Sequence, residues 1–295
     1  MIGGIDLGGT KMEARLFEGP DAATVASRRV ATPLASFDAL CTAALDLIAW
    51  LDAEAGRRVS VGVALPGLAD PRTGAWFAAN VPLTGHLPAD VLSTGAGRPV
   101  TVVGDGAAFA VSEARGGAAD GVRVVMGLIL GTGVGGGLCV DGVPPPRHGD
   151  LPLEVGHVGA PAAALARHDL PLWDCCCGRA GCNEVYASGT GLARIASWRT
   201  GRPVRVEDGV PGDVLTIWID VLADVLRDLH LLVAPEAVVL GGGASRVDRL
   251  TERLTDALHP RMLGPQPAPR ILRALHGDSS GARGAALLAA DRAAA

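Results

Sequence analysis

The chain has 295 residues, 48% of them hydrophobic and 19% charged, with a formal net charge of −5. That is enough apolar material for a full core and enough length for two domains. The charge balance offers no basic surface for nucleic acid, and no apolar run reaches the roughly 18–20 residues that cross a bilayer.

Ile2–Leu7 reads as a buried strand, with Ala14–Glu18 as its hairpin partner. The acidic Asp6 so soon after Met1 predicts no secretory signal. Between the two strands lies Asp6-Leu7-Gly8-Gly9-Thr10-Lys11, which contains the only lysine among the 26 basic residues. Glycines without a Cβ let backbone N–H groups approach phosphate oxygens, the Thr10 hydroxyl adds a donor, and Asp6 could hold Mg²⁺ through water. An ordinary hairpin turn would look the same, because a short glycine motif carries little information alone.

Phe37–Ala55 has helical periodicity, with Leu40, Ala44, Leu47, Ile48 and Leu51 on one face. Val59–Leu65 is a strand that ends at Pro66-Gly67, and Val100–Val103 is another, followed by a helix over Ala107–Arg115. Asp105 stands between that strand and that helix. A carboxylate there can take a proton from a substrate hydroxyl or simply cap the helix. Gly116–Gly121 is the expected crossing between domains.

The same grammar then returns. Val122–Leu130 is a strand, Gly131–Gly137 a glycine turn carrying Thr132, and Leu138–Val140 a strand. No helix follows as a dinucleotide fingerprint requires, and no Gly-Lys-Ser/Thr follows as a Walker loop requires. Two Gly-Thr turns, at Gly9-Thr10 and Gly131-Thr132, point instead to two phosphate-binding units of one α/β architecture facing a cleft. Val214–Val233 is a long amphipathic helix. Ala237–Leu240 is a strand running into Gly241-Gly242-Gly243, where adenine or ribose could lie against bare backbone. Arg246–Ala257 and Gly281–Ala294 are helices, and Pro144–Arg147 and Pro265–Pro269 are surface loops.

Four of the six cysteines fall within eight residues, in Cys175-Cys176-Cys177-Gly178-Arg179-Ala180-Gly181-Cys182. That is poor spacing for a disulfide framework and good spacing for a metal, which predicts a reducing, cytoplasmic setting. Cys175, Cys177 and Cys182 supply three thiolates, and one imidazole would close a tetrahedral structural zinc site. His157 and His168 both compete for that fourth place, and Cys176 is left over.

Taken in order, Asp6–Lys11, Asp105, Leu130–Gly137, Glu154–His157 and Cys175–Glu184 resemble the ROK (repressor, open reading frame, kinase) family over essentially the whole chain. The Glu-x-Gly-His and Cys-x-Cys-Gly-x2-Gly-Cys-x-Glu motifs are specific in combination. Ala79–Pro82, Val125–Gly137 and Arg273–Asp278 are similar to the members that phosphorylate N-acetyl-D-glucosamine. The resemblance implies an α/β, two-lobed, actin-like (ribonuclease-H-like) ATPase fold. It implies a small lobe over 1–116, with a C-terminal helix over 282–295 packing back on it, and a large lobe over 117–281 with a zinc-bound sugar loop. Asp105 would be the general base on the sugar 6-hydroxyl, and Asn80, Glu154, His157 and Glu184 would bind sugar hydroxyls. His157 would also be the fourth zinc ligand. Asp6, Gly8, Gly9, Thr10, Lys11, Gly131, Thr132, Gly133 and Gly241–Gly243 would hold ATP and Mg²⁺. The expected partners are a sugar and a nucleotide, with a homodimer as the assembly.

One stretch departs from the family's usual Asn-Asp-Ala-Asn. Here it reads Gly104-Asp105-Gly106-Ala107. The base is kept and both amides are gone, which leaves two alternatives open: another hexose (glucose, glucosamine or N-acetylmannosamine) as substrate, or a catalytically impaired sugar-binding protein. With the first motif beginning at Gly4, no N-terminal helix-turn-helix of the repressor branch is expected.

Overall fold

A computed structural model of the chain describes residues 1–19, 23–146 and 153–294. The expected Pro144–Arg147 loop falls partly outside them, at Arg147. The chain gathers into two compact units, one of Met1–Gly121, Gly137–Pro152 and Leu275–Ala295, the other of Val122–Gly136 and Leu153–Ala274.

The first unit is built on a five-stranded sheet in the order β3-β2-β1-β4-β7, and β5 (Leu68–Ala69) and β6 (Trp76–Phe77) form a separate two-stranded sheet. β1 (Ile2–Leu7) runs antiparallel to β2 (Lys11–Phe17), and β2 antiparallel to β3 (Thr24–Ala31). β4 (Ser60–Leu65) is parallel to β1, and β7 (Thr101–Gly104) is parallel to β4. β2 starts at Lys11, three residues before the expected Ala14, because the turn is closed tightly by the Gly8 N–H on the Lys11 carbonyl at 2.9 Å. β3 carries mostly exposed side chains, and this missing apolar alternation is why it escapes a reading of the sequence.

α1 (Phe37–Ala55) begins at Ser36, whose hydroxyl accepts the Ala39 N–H, and it buries Phe37, Leu40, Ala44, Leu47, Ile48 and Leu51. Successive strand residues face opposite sides of a sheet. Accordingly a Cβ at Gly3 would meet Leu51 of α1, while a Cβ at Gly4 would collide with the Ala282 carbonyl of α9 (Ser280–Ala294). Gly62 pairs with Gly4 in register, and a Cβ there would strike the Ala285 carbonyl. Two registered glycines thus open a groove in the sheet, into which the alanine-rich α9 sinks until backbone meets backbone. The first turn of α9 lies over Asp6, since a Cβ at Gly281 would sit 2.7 Å from its carboxylate.

α3 (Asp105–Ala114) packs on the outer side of α9. It carries Glu113, which is 0% exposed. Its Oε2 accepts the N–H groups of Ala118 at 3.0 Å and Leu275 at 2.9 Å, and its Oε1 accepts the His276 N–H at 3.2 Å and the Ser280 hydroxyl at 2.6 Å. Four donors compensate a buried carboxylate, which would otherwise be prohibitive in the interior. The result ties the lead-in of α9 to α3.

A four-stranded sheet runs in the order β11-β10-β8-β9; β11, β10, β8 and β9 as far as Gly136 belong to the second unit. β8 (Val124–Leu130) and β10 (Ala237–Gly241) are parallel, as are β10 and β11 (Arg270–Arg273). β9 (Val134–Val140) overturns the expected turn over Gly131–Gly137, because only residues 131–133 turn. Gly135–Gly137 are strand residues, the last two at close contacts: a Cβ at Gly136 would meet the Leu153 carbonyl and one at Gly137 the Gly106 backbone. α7 (Gly212–Val233) is the buried spine, with Trp218 fully enclosed. Its Asp220 and Asp224 hold Arg167 at the end of α4 (Ala162–Arg167), both at 2.7 Å, and Arg261 beyond α8 (Leu250–Leu258). A 3-10 turn over Gly243–Arg246 delays α8 past the expected start at Arg246. α2 (Pro88–Ala96), α5 (Glu184–Ala187) and α6 (Gly189–Thr200) complete the helices used below.

The groove makes a stability prediction. Gly4→Ala forces β1 and α9 apart and should cost about 2 kcal/mol, lowering the apparent melting temperature by about 4–8 °C in a thermal melt followed by circular dichroism. Gly212→Ala, where an added Cβ meets nothing within 4 Å, should leave it unchanged.

Candidate active site and metal centre

The sharpest constellation lies in the second unit. The loop Trp173–Cys182 is folded by Cys175 N–H on the Arg179 carbonyl at 2.7 Å, Gly178 N–H on the Cys175 carbonyl at 3.0 Å and Gly181 N–H on the Trp173 carbonyl at 2.8 Å. Trp173 stacks on Tyr186 with centroids 5.0 Å apart, and the Tyr186 hydroxyl donates to the Pro171 carbonyl at 2.7 Å. Buried Asn183 fastens the loop to the 3-10 turn Val155–His157 by donating to the Val155 carbonyl at 3.0 Å.

This frame brings Nδ1 of His157 and the sulfurs of Cys175, Cys177 and Cys182 within 4.8 Å of one another. Cys175 Sγ is 3.6 Å from His157 Nδ1, and Cys177 Sγ is 3.6 Å from Cys182 Sγ. A tetrahedron with Zn–S near 2.3 Å and Zn–N near 2.05 Å has S···S edges of about 3.8 Å and S···N edges of about 3.6 Å. Donor types and spacing therefore fit zinc. His168, the competing imidazole, is taken elsewhere: its Nε2 lies 2.7 Å from Asp220. Burial pushes the Cys182 thiol up to about 12, while the Arg179 backbone N–H draws Cys177 below the usual thiol range. Bound metal would override both, since only thiolates ligate.

Cys176 points out of the tetrad, with its Sγ 3.3 Å from Glu184 Oε1. That contact, with burial second, raises its thiol to about 11. The other carboxylate oxygen of Glu184 accepts the Val134 N–H at 3.4 Å and lies over Gly133, where an added Cβ would have to displace it. Glu184 thus stands between the cysteine loop and the β8–β9 turn. Glu154, half-buried, precedes the Val155–His157 turn.

The glycine segments of this unit converge. Gly242, at φ +77°, packs against the Leu130 carbonyl, so the Gly241–Gly243 turn abuts the Gly131–Gly133 turn. A third segment joins them that the sequence reading missed. The Gly189 N–H donates to the Gly131 carbonyl at 2.9 Å, and the Thr190 hydroxyl donates to the Thr132 carbonyl at 2.5 Å. Its signal was present, as Ser188-Gly189-Thr190 holds another Gly-Thr pair, and Ser188 caps α6 by accepting the Gly191 N–H at 2.9 Å.

In the first unit, Thr32 holds the Asp6–Lys11 turn by donating to the Gly8 carbonyl at 2.6 Å. Asn80 lies against Gly9, with its Cβ 3.8 Å from where a glycine Cβ would be. Asp105 is the first residue of α3, and its Oδ1 accepts the Gly106 N–H at 2.7 Å. Gly104 caps the helix in extended conformation at φ −65°, and a Cβ there would have only the Gly67 carbonyl near it, at 3.8 Å.

The ROK family pattern matches residues 2–292. The chain belongs to the ROK family. It is 37% identical over 306 residues to the N-acetyl-D-glucosamine kinase of Escherichia fergusonii, covering 98% of this chain and 99% of that one. It is 38% identical over 301 residues to the same-named kinase of Escherichia coli, at 98% and 99% coverage. Among solved structures it resembles the ROK hexokinase of Thermus thermophilus with TM-score 0.84 and 29% identity, covering 99% of both chains. It also resembles the ROK glucokinase of Streptomyces griseus, solved with glucose and AMPPNP, with TM-score 0.80 and 27% identity over 98% and 99% of the chains. The actin-like ATPase fold expected from the motifs is the fold of these kinases.

Proposed function

We propose that this protein is an ATP-dependent hexose kinase that phosphorylates the 6-hydroxyl of N-acetyl-D-glucosamine. The observation that carries the substrate is the 37–38% identity, over 98% of the chain, to kinases of that name. The observation that carries the chemistry is the survival of Asp105 at a strand end and helix start, although both flanking amides are replaced.

In this reading the 6-hydroxyl donates to Asp105, which orients it and takes its proton as the oxygen bonds to the γ-phosphorus of ATP and the bond to the β-phosphate oxygen breaks. Asn80, Glu154, His157 and Glu184 hold the remaining sugar hydroxyls. The backbone N–H groups of Gly8, Gly9, Gly131 and Gly133, with Thr10, Lys11 and Thr132, receive the phosphates, and Gly241–Gly243 receive the nucleoside. Asp6 would hold Mg²⁺ through water, and that ion would neutralise charge on the phosphates. Zinc on His157, Cys175, Cys177 and Cys182 would be structural, fixing the turn that carries Glu154 and the helix start that carries Glu184. The division into a small lobe over 1–116 and a large lobe over 117–281, the homodimer and the cytoplasmic location belong to the same reading. Among the described residues, no helix is long and apolar enough to cross a membrane.

Three outcomes test it. Asp105→Ala should fold and lose about 10²–10⁴-fold in kcat in a coupled assay with N-acetyl-D-glucosamine, and near-normal turnover would remove Asp105 from the mechanism. Elemental analysis of protein purified without added metal should find about one zinc per chain, and Cys177→Ser should lose it. The third concerns the missing amide. The backbone at Gly104 suits any L-residue and has open space. Gly104→Asn with Ala107→Asn should therefore fold and lower KM for N-acetyl-D-glucosamine about 2–10-fold, the worth of one regained hydrogen bond. A rise in KM, with a lower wild-type KM for glucose or N-acetylmannosamine, would show a pocket shaped for another hexose.

A further inference from the structure

The turn Gly131–Gly133 is held at each of its three carbonyls. The Gly133 carbonyl accepts the Gly131 N–H at 3.0 Å, within the turn. The Gly131 carbonyl accepts the Gly189 N–H at 2.9 Å. The Thr132 carbonyl accepts the Thr190 hydroxyl at 2.5 Å. Two of these donors are backbone groups, which no side-chain change removes, and the third is a side chain. A peptide group is planar and trans, so its N–H points opposite to its C=O. The pins on the Gly131 and Thr132 carbonyls therefore direct the N–H groups of Thr132 and Gly133, both away from the start of α6. The Gly131 N–H is spent inside the turn, which narrows the backbone donors this turn offers a phosphate to those of Thr132 and Gly133. The geometry points to Thr190 as a positioning residue of the phosphate site: by holding the Thr132 carbonyl, it aims the Gly133 N–H at a phosphate oxygen of the nucleotide.

Neither capping nor packing accounts for a threonine at this position. Ser188 already caps α6 by accepting the Gly191 N–H at 2.9 Å. Thr190 is exposed, so it adds nothing to the core, and a β-branched residue in the first turn lowers helix propensity. Its hydroxyl is also fully committed. A carbonyl has no proton to give, so the Thr190 proton lies on the Thr132 carbonyl and the Ser188 proton on the Glu184 carbonyl at 2.6 Å. Thr190 therefore has no second proton for a phosphate, and it acts through the turn instead of as a ligand. Without the hydroxyl, the Thr132–Gly133 peptide loses this pin and can rotate, which swings the Gly133 N–H off its acceptor.

This rests on the reading of Gly131–Gly133 as a phosphate turn, and the experiment separates the two claims. Binding of the ATP analogue AMPPNP with Mg²⁺ is measured by calorimetry on the wild type, Thr190→Val, Thr190→Ser and Thr132→Val. Alongside it run the inhibition constant of adenosine, which carries no phosphate, and the Kd of N-acetyl-D-glucosamine. Thr190→Val keeps the shape and removes the donor, and it should weaken AMPPNP about 3–10-fold while the adenosine and sugar constants stay at wild-type values. Thr190→Ser keeps a hydroxyl and should bind AMPPNP as the wild type does. Equal weakening of AMPPNP and adenosine by Thr190→Val would make Thr190 a general support of the nucleotide site and overturn the proposal. Weakening by Thr132→Val but none by Thr190→Val would overturn the role of Thr190 and leave the phosphate turn standing. No weakening of AMPPNP by either variant would remove the phosphate reading of the turn itself. Thr190→Ala replaces the valine variant if that one does not fold, under the same outcomes.

Discussion

The contact on which the first unit depends is the bare-backbone meeting of β1 and β4 with α9. Gly4 and Gly62 stand side by side in register, and the carbonyls of Ala282 and Ala285 occupy the space their side chains would fill. Because proteins pack at crystal density, a helix this close to a sheet leaves no slack. It sets the height of α9 and so places its first turn over Asp6. It also sets where the N-terminal lead of α9 must run, and there Glu113 collects Leu275, His276 and Ser280. A buried carboxylate with four donors acts as a latch, since losing one donor exposes it to much of its desolvation cost.

The second unit solves a different problem. Its loop Trp173–Cys182 has little apolar surface of its own to bury and is held by backbone turns, one aromatic stack and four clustered ligand atoms. A metal site can supply folding free energy that a small core cannot. Placing the ligands on both the Val155–His157 turn and the cysteine loop joins two segments that each border a proposed sugar contact. The carboxylate of Glu184 then communicates with the β8–β9 turn through the Val134 N–H.

The motifs were legible because their chemistry is local. Gly8-Gly9-Thr10 and the cysteine spacing announce themselves in six to eight residues, and α1 is readable because its apolar positions keep a helical period. What was not legible is long-range. Nothing near Glu113 tells that residues more than 160 positions away will donate to it. Gly131–Gly137 looked like one turn because glycine serves both turning and close approach. Only the neighbour, the Gly106 backbone, separates the two uses. His157 and His168 were equal on spacing, and the decision came from Asp220, some fifty residues on, which takes His168. Thr190 was a missed Gly-Thr pair of the same kind as Thr10 and Thr132, hidden because it opens a helix instead of closing a strand.

The departure at Gly104 is best understood through what phosphoryl transfer requires. Its transition state is loose, and the protein contributes position and electrostatics more than covalent chemistry. A base in such a reaction must be held still above all. Asp105 is held by its own backbone setting: it is the first residue of α3 and its carboxylate is steadied by the Gly106 N–H. That support comes from the helix start itself. In the proposed mechanism an amide at position 104 would contact the sugar. The helix start persists with glycine at its cap, so the position of Asp105, the proposed acceptor of the attacking hydroxyl, does not depend on an amide at position 104.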